Sequence, residues 1–227
     1  DRFNLKANIR YGIQLLTAFY LFKTSSLSFE NNNFLAEILA SFIIIFAITG
    51  IINFINFMDG IDGLVCGSMI VILFAINGEF HYLLPIIGTL TAFLYFNWYP
   101  SKIFMGDAGS LFLGSYLVSL IYSSSNFINI TKILLICSPL LIDALVSIIR
   151  RLIHKQNIFT PHKLHLYQRL VLNGFSHSKV SSIYIASIAF LSIIYTYYNL
   201  TSLIISVLLI IILGIYLDKR YALEFNK

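Results

Sequence analysis

Long apolar stretches separated by short polar breaks run along the whole chain. The stretches are continuous, as in residues 43–48 and 203–213, whereas the strands of an outer-membrane barrel would alternate apolar and polar residues. Continuous apolar stretches of this length are typical of helices that cross a membrane. The pattern predicts eight transmembrane helices, with boundaries at about residues 9–27, 35–57, 62–79, 82–98, 110–125, 129–149, 180–198 and 200–218.

The composition supports this interpretation. Hydrophobic residues make up 58% of the 227 residues and charged residues 11%, with a mean hydropathy of +0.84. We therefore predict an all-α, polytopic integral membrane bundle forming a single domain over residues 1–227. The chain opens at Asp1 on a charged stretch, so we expect further N-terminal spans before it. Cys66 and Cys137 lie within apolar stretches and are interpreted as small buried hydrophobic residues.

The positive charges are distributed unevenly between the two sides of the predicted bundle. If eight spans alternate, 13 of the 15 Lys and Arg residues share one side, and only Lys23 and Lys132 lie opposite. The positive-inside rule makes the richer side cytoplasmic. The same alternation places Asp1 and the polar segments 53–63, 103–110 and 154–177 on that side. We therefore predict one composite site at the cytoplasmic surface.

The first polar segment contains a stripe of amide, acidic and small residues. At 100° per residue, a helix would place Asn53, Asn56, Asp59, Gly60 and Gly63 within about 120° of one another. Such a stripe could line a pocket, because Asn both donates and accepts hydrogen bonds and Gly admits a ligand close to the backbone. The alternative is packing between membrane helices, where Asn and Gly are common.

The second polar segment predicts a helix N-terminus. Pro100 and Gly106 interrupt the chain before an apolar helix that opens near Gly109, which puts Asp107 and Ser110 at its start. Asp107 could simply cap the helix. A helix N-terminus also attracts phosphate, and a carboxylate beside it could hold Mg²⁺.

The third polar segment is basic and rich in histidine. From Arg150 to Lys179 there are six basic residues, four histidines and no acid, which is a composition suited to anions. The segment has no HExxH pattern that would indicate a zinc protease. Asp143, seven residues before Arg150, is interpreted as structural, either pairing with Arg150 or orienting that end of the helix.

Three motifs together resemble one known family. NFINFMDGIDGL at 53–64, FMGDAGS at 104–110 and PHKLHLYQRL at 161–170 resemble the polyprenyl-phosphate N-acetylhexosamine-1-phosphate transferases of glycosyltransferase family 4. The histidine motif is most similar to that of the enzymes that initiate O-antigen synthesis. The resemblance implies transfer of a sugar 1-phosphate from a UDP-N-acetylhexosamine to undecaprenyl phosphate. It also implies release of UMP and a requirement for Mg²⁺, with Mn²⁺ as a substitute.

The resemblance also implies roles for particular residues. Asp107 would be the metal ligand, Phe104 would stack on uracil, and Asp1 would be the second acid of the family's Asp-Asp pair. The implied catalytic residues are Asp1, Asp59, Asp62 and Asp107. The implied substrate-binding residues are Asn53, Asn56, Phe104, His162, His165 and Arg169.

The implied setting is the bacterial inner membrane, with the active site on the cytoplasmic side. The expected partners are the two substrates and the lipid bilayer, not nucleic acid, and a homodimer is left open. Two alternatives remain at this stage. A transporter or channel would place its acids near the middle of the bilayer in broken helices. A noncatalytic fragment would serve only to scaffold a partner.

Overall fold

A computed structural model describes residues 7–24, 34–78, 81–124, 126–158, 160 and 162–225. Every regular element within these residues is helical, which confirms the predicted fold class. The elements are α1 (Ala7–Thr24), α2 (Phe34–Met58), α3 (Leu64–Ile76), a 3₁₀ turn (His81–Leu83), α4 (Leu84–Asn97), α5 (Gly106–Ser123), α6 (Phe127–Ile136), α7 (Ser138–Ile153), α8 (Leu166–Leu172), α9 (His177–Tyr197) and α10 (Leu200–Tyr221).

Each of the eight predicted segments contains at least one of these helices. The sixth, at 129–149, is divided into α6 and α7, which meet at an angle of 74°. Pro139 lies in the first turn of α7, where it lacks the N–H that would continue a helix from α6. The short helix α8 was not predicted.

The number of predicted membrane spans is too high. Three described helices, α2, α9 and α10, are long and apolar enough to cross a membrane, and the bent pair α6–α7 makes a fourth if it counts as one span. The helices α3 and α4, with 13 and 14 residues, reach only about 20 Å against a hydrocarbon core of about 30 Å. Polar residues lower the hydropathy of α1 and α5. The chain is a multi-pass membrane protein, and its cytoplasmic side remains a prediction.

The helices group into two units. The first comprises the described residues of Asp1–Asn56 and Met105–Thr131, including α1, most of α2 and α5. In it, α1 packs against α5, and the Asn53 side chain joins α2 to Gln14 on α1. A Cβ at Gly114 would lie 3.0 Å from the Cα of Ile52. Glycine therefore lets α5 approach the backbone of α2 closely.

The second unit comprises the described residues of Phe57–Phe104 and Lys132–Lys227. Its central helix is α3, which is mostly buried and packs against α4 and α9. A Cβ at Gly67 would overlap the side chain of Ile185, so this glycine permits the close contact between α3 and α9. The helix α9 also contacts α7, α8 and α10.

Candidate active site

In the first unit, Asn56 joins the two acidic motifs. Its side chain extends from the last turns of α2, and the amide nitrogen donates to Asp107 Oδ1 at 3.3 Å and to Ser110 Oγ at 2.8 Å. The helix α5 begins at Gly106, whose φ of 67° lies in the left-handed region that glycine adopts readily. Asp107 is thus in the first turn of α5, as predicted, but one residue beyond its start. Residues about fifty positions apart in the sequence meet here.

Asn53 does not join this group. Its amide nitrogen donates to Gln14 Oε1 and to the carbonyl of Thr49, both at 2.8 Å. This is the packing role that the sequence left open for the asparagines. Ser110 is buried and its hydroxyl donates to the carbonyl of Gly106 at 3.1 Å, whereas Asp107 is half-buried.

The oxygen atoms around Asp107 are chemically suited to Mg²⁺. The Asp107 carboxylate and the Ser110 hydroxyl are hard oxygen donors, which this ion prefers, and the Asn56 amide nitrogen holds both by hydrogen bonds. Among the residues that the structure covers, no group of three or more His, Cys, Asp or Glu side chains forms a metal cage. A single protein carboxylate is sufficient for Mg²⁺ when substrate phosphates and water supply the remaining ligands.

In the second unit, residues 59–63 form a turn rather than a continuation of α2. The helix ends at Met58, and Gly63 has a φ of 74°. The prediction of one helical stripe is therefore wrong beyond Asn56, because α2 ends at Met58, and Asp59, Gly60 and Gly63 lie in the turn that follows. Asp59, a predicted catalytic residue, is half-buried in this turn.

Asp62, another predicted catalytic residue, is 8% exposed and hydrogen-bonded through its carboxylate. Its Oδ1 accepts from the Ser101 hydroxyl at 2.9 Å and its Oδ2 from the Ser101 amide at 3.2 Å. His177 Nδ1 lies 3.3 Å from Oδ2, and the Ser181 hydroxyl donates to the Asp62 carbonyl at 2.7 Å. Asp62 thus fixes the turn to residue 101 and to the start of α9.

Asn97 supports the same turn from the end of α4. Its side-chain oxygen accepts from the amide of Gly63 at 3.2 Å, and its nitrogen donates to the carbonyl of Ile103 at 2.9 Å. The residue is 5% exposed. Asn97 therefore bridges the first acidic turn and the segment that precedes the second acidic motif.

Tyr167 of α8 fixes the start of the turn. Its side chain is fully buried and the hydroxyl donates to the carbonyl of Phe57 at 2.8 Å. Burial, together with the charges of Asp143 and Asp59, raises the pKa of Tyr167, so the hydroxyl stays a donor at neutral pH. A Cβ at Gly60 would overlap this hydroxyl.

We expect Gly60→Ala to lower stability by about 1–3 kcal/mol, because the new methyl group forces the buried Tyr167 ring out of place. Thermal unfolding of the full-length protein in detergent measures the change. Gly78→Ala is the matched control, since a Cβ there meets nothing within 4 Å. Equal melting temperatures for the two variants would contradict the close contact at Gly60.

Asp143 is buried, at 7% exposure, and binds the N-terminus of α8. Its Oδ1 accepts from the Leu166 amide at 2.7 Å, and its Oδ2 accepts from the Tyr167 amide at 3.2 Å and the Tyr184 hydroxyl at 2.6 Å. The carboxylate satisfies backbone donors that a helix N-terminus leaves without partners. Asp143 thus orients the histidine motif and does not pair with Arg150, which donates instead to Asp218.

Arg169, predicted to bind substrate, is 4% exposed and hydrogen-bonded within the protein. Its Nε donates to the carbonyl of Leu164 at 3.2 Å and its Nη1 to that of Leu223 at 2.7 Å, while Nη2 donates to Asp218. These contacts join the histidine motif to the C-terminal end of α10, which the sequence predicts to be cytoplasmic. In this geometry, Arg169 positions the histidine motif.

His162 and His165 lie side by side, with ring centroids 4.9 Å apart. His165 is 2% exposed, and burial lowers its pKa although Asp143 opposes that shift. Burial and the nearby charges of His165 and Arg151 lower the pKa of the half-buried His162 to about 4. The Leu164 amide donates to His162 Nδ1 at 3.3 Å, which assigns the proton of the neutral ring to Nε2.

This low pKa predicts acid sensitivity. The unfolded chain protonates His162 near its ordinary value of 6.5, whereas the folded protein does so only near 4, so acidification through that range favours unfolding. We expect His162→Asn to reduce the fall in melting temperature between pH 7 and pH 4.5 by roughly 2 °C or more. His154→Asn, at an exposed histidine, is the control. An unchanged acid dependence in His162→Asn would refute the assignment.

Two predicted site residues remain. Phe104 is 76% exposed, so its ring is accessible to a ligand. Asp1 lies outside the described residues.

The sequence reasoning missed Asn97, Ser101, Tyr167 and Tyr184 as supporting residues. Tyr167 lies inside the quoted histidine motif, and Asn97 ends an apolar helix. An amide or acid next to an apolar stretch is a usable signal, because such a group needs a partner there. The sequence does not say which partner it has.

Comparison with known proteins places the two acidic motifs in a family. The family model described as Glycosyl transferase family 4 matches residues 1–125, more than half of the chain. The chain belongs to glycosyl transferase family 4. This membership confirms the resemblance drawn from the motifs and does not favour the transporter alternative.

Individual members of the family are similar over longer stretches. A probable undecaprenyl-phosphate N-acetylglucosaminyl 1-phosphate transferase of Bacillus subtilis is 33% identical over 197 residues, covering 78% of this chain and 55% of the relative. A decaprenyl-phosphate N-acetylglucosaminephosphotransferase of Mycobacterium leprae is 29% identical over 174 residues, covering 62% and 44%. A phospho-N-acetylmuramoyl-pentapeptide-transferase of Dictyoglomus thermophilum is 32% identical over 151 residues, covering 61% and 46%. The chain thus spans about half the length of these relatives.

Proposed function

We propose that the whole protein transfers an N-acetylhexosamine 1-phosphate from a UDP-N-acetylhexosamine to undecaprenyl phosphate and releases UMP. The step would begin the assembly of O-antigen or a related cell-envelope polysaccharide. Family membership and the names of the relatives support this class of reaction.

The observation that carries the proposal is the contact of Asn56 with Asp107 and Ser110. It ties a residue of the first acidic motif to the oxygen atoms of the second at the first turn of α5. A helix N-terminus of this kind favours a diphosphate, because its backbone N–H groups and dipole attract negative charge.

In this proposal, Asp107 would hold Mg²⁺, with the Ser110 hydroxyl beside it. The bound ion would neutralise charge on the donor diphosphate as the bond to UMP breaks. Asn56 orients the Asp107 carboxylate through the 3.3 Å hydrogen bond. The exposed Phe104 ring would offer a stacking surface for uracil. Asp59 would contact the nucleotide or organise the metal site, as the resemblance to the family implies.

The histidine motif would bind phosphate through an uncharged imidazole ring that donates a hydrogen bond. His162 carries its proton on Nε2, so it donates a hydrogen bond without needing to be charged. Asp62, Asp143 and Arg169 act in this proposal as positioning residues, since their polar atoms bind other parts of the protein.

We favour direct attack of the lipid phosphate oxygen on the sugar-linked phosphorus, with UMP as the leaving group. That oxygen is already anionic near neutral pH, so no strong base is needed, and Asp1 would position it. The alternative is a covalent aspartyl-phosphate intermediate, which would require a second displacement. The proposal places the site at the cytoplasmic side of the inner membrane, as the resemblance to the family implies.

A panel of donors tests the proposal. Membranes containing the full-length protein are incubated with undecaprenyl phosphate, Mg²⁺ and each of several UDP-sugars, and UMP is measured. We expect UMP with at least one UDP-N-acetylhexosamine and none when undecaprenyl phosphate is omitted. Absence of UMP across the panel, with folded protein confirmed, would refute the transferase function.

A further inference from the structure

An apolar cavity of about 210 Å³ lies in the second unit among α7, α9 and α10. An engineered apolar cavity of about 150 Å³ holds a benzene molecule, so this one could hold about eight carbons of a hydrocarbon chain. Its apolar lining includes Ile142, Val146, Ile183, Ile210, Leu213 and Leu217. These side chains offer a hydrocarbon chain contacts but no hydrogen bonds.

Polar side chains also line the cavity, both along its walls, as with Asp143 and Tyr184, and near the ends of two of its helices. Arg150 and Asp218 each lie three residues before the end of their helix, α7 and α10 respectively. Arg150 and Arg169 both donate to Asp218. Two guanidinium groups and one carboxylate leave this cluster with a net charge of +1. The Arg150 side chain is 36% exposed, so its charge is accessible from outside.

One wall of the cavity is a helix that is expected to face the bilayer. This helix is α10, which is long and apolar enough to span a membrane. Only 17% of its apolar stretch is buried within the protein. Two cavity-lining side chains, Val146 and Leu213, are 38% and 40% exposed at the protein surface. A lipid chain could therefore reach the apolar walls from the side of α10, with its phosphate near the ends of α7 and α10.

We propose that this cavity binds one anionic phospholipid, with part of an acyl chain between α7, α9 and α10 and its phosphodiester against Arg150. A phosphodiester carries a single negative charge, which matches the net charge of the Arg150–Asp218–Arg169 cluster. The cavity also has the Asp143 carboxylate in its lining, two turns from Arg150 along α7, where it accepts from the first two amides of α8. A phosphomonoester such as undecaprenyl phosphate carries about −1.5 to −2 at pH 7 and would face Asp218 with excess negative charge. The inference does not depend on the proposed transferase function.

Lipid selectivity of the unmodified protein is the first test. Full-length protein is reconstituted into vesicles of equal phosphatidylglycerol and phosphatidylcholine, extracted in mild detergent and weighed by native mass spectrometry. We expect one retained phosphatidylglycerol. Arg150→Gln should lower its retention about fivefold, while Arg150→Lys keeps most of it.

Filling the cavity is the second test. Gly214 lines the cavity, and a Cβ added there meets nothing within 4 Å, so Gly214→Leu would occupy the space without a clash at the backbone. We expect this variant to lose the retained lipid. Gly88→Leu is the matched control, because Gly88 in α4 is equally open but does not line the cavity.

Three results would overturn the proposal. They are equal retention of the two phospholipids by the unmodified protein, retention by Gly214→Leu equal to that of Gly88→Leu, and displacement of phosphatidylglycerol by equimolar undecaprenyl phosphate. Circular dichroism confirms that each variant is folded. The comparison of the two lipids needs no variant, so a folding failure does not prevent a decision.

Discussion

Replacing Asp107 with Asn is expected to lower UMP release by at least about a hundredfold to a thousandfold while the protein stays folded. The substitution keeps the shape of the side chain and an oxygen that accepts from Asn56 at the observed 3.3 Å. It removes the negative charge that would hold Mg²⁺. The measurement compares UMP released by full-length wild-type and variant proteins at matched amounts and saturating Mg²⁺.

The control for this variant is Glu37→Gln, which removes a carboxylate from the same unit near the start of α2. We expect its UMP release to stay within twofold of wild type, because Glu37 lies about five helical turns from Asn56 along α2. Full activity of Asp107→Asn would refute the metal assignment. Loss of its thermal unfolding transition would instead indicate a role in folding.

The second large effect is expected from Asp143→Ala. The Asp143 carboxylate accepts from the amides of Leu166 and Tyr167 and from the hydroxyl of Tyr184. Its removal leaves three donors without their partner in a buried region, at a cost of about 3–5 kcal/mol. We expect the melting temperature of the full-length protein to fall by about 10 °C.

Tyr184→Phe provides the matched comparison. It removes one of the three hydrogen bonds and leaves the carboxylate on the N-terminus of α8, so its loss should be about 1 kcal/mol. A melting temperature for Asp143→Ala within 2 °C of wild type would contradict the structural role of this carboxylate. So would equal effects of the two substitutions.

The positions of the helices could largely be predicted from the sequence, because continuous apolar stretches are a strong signal. The break between α6 and α7 carried a local signal in Pro139, whereas α8 has only seven residues and no such stretch. The span count failed because an apolar stretch does not show where its helix ends. The helix α3, predicted from residue 62, begins only at Leu64 and ends at Ile76.

The contacts of the candidate site could be predicted only in part. The motif pattern predicted that Asp107 and Ser110 open a helix, since Gly106 precedes them. It gave no indication that Asp62 binds Ser101 or that Arg169 binds Asp218, because those partners are 39 and 49 residues apart. Such pairs depend on how the helices pack, and no local spacing encodes them.

The most direct test of the proposed function follows the phosphorus atoms. Full-length protein is supplied with undecaprenyl phosphate, Mg²⁺ and a UDP-N-acetylhexosamine labelled with ³²P at the phosphate next to the sugar. Transfer of a sugar 1-phosphate predicts that the label enters the lipid product and that unlabelled UMP appears in equal amount. Label recovered in UDP, with an unlabelled sugar on the lipid, would contradict the account.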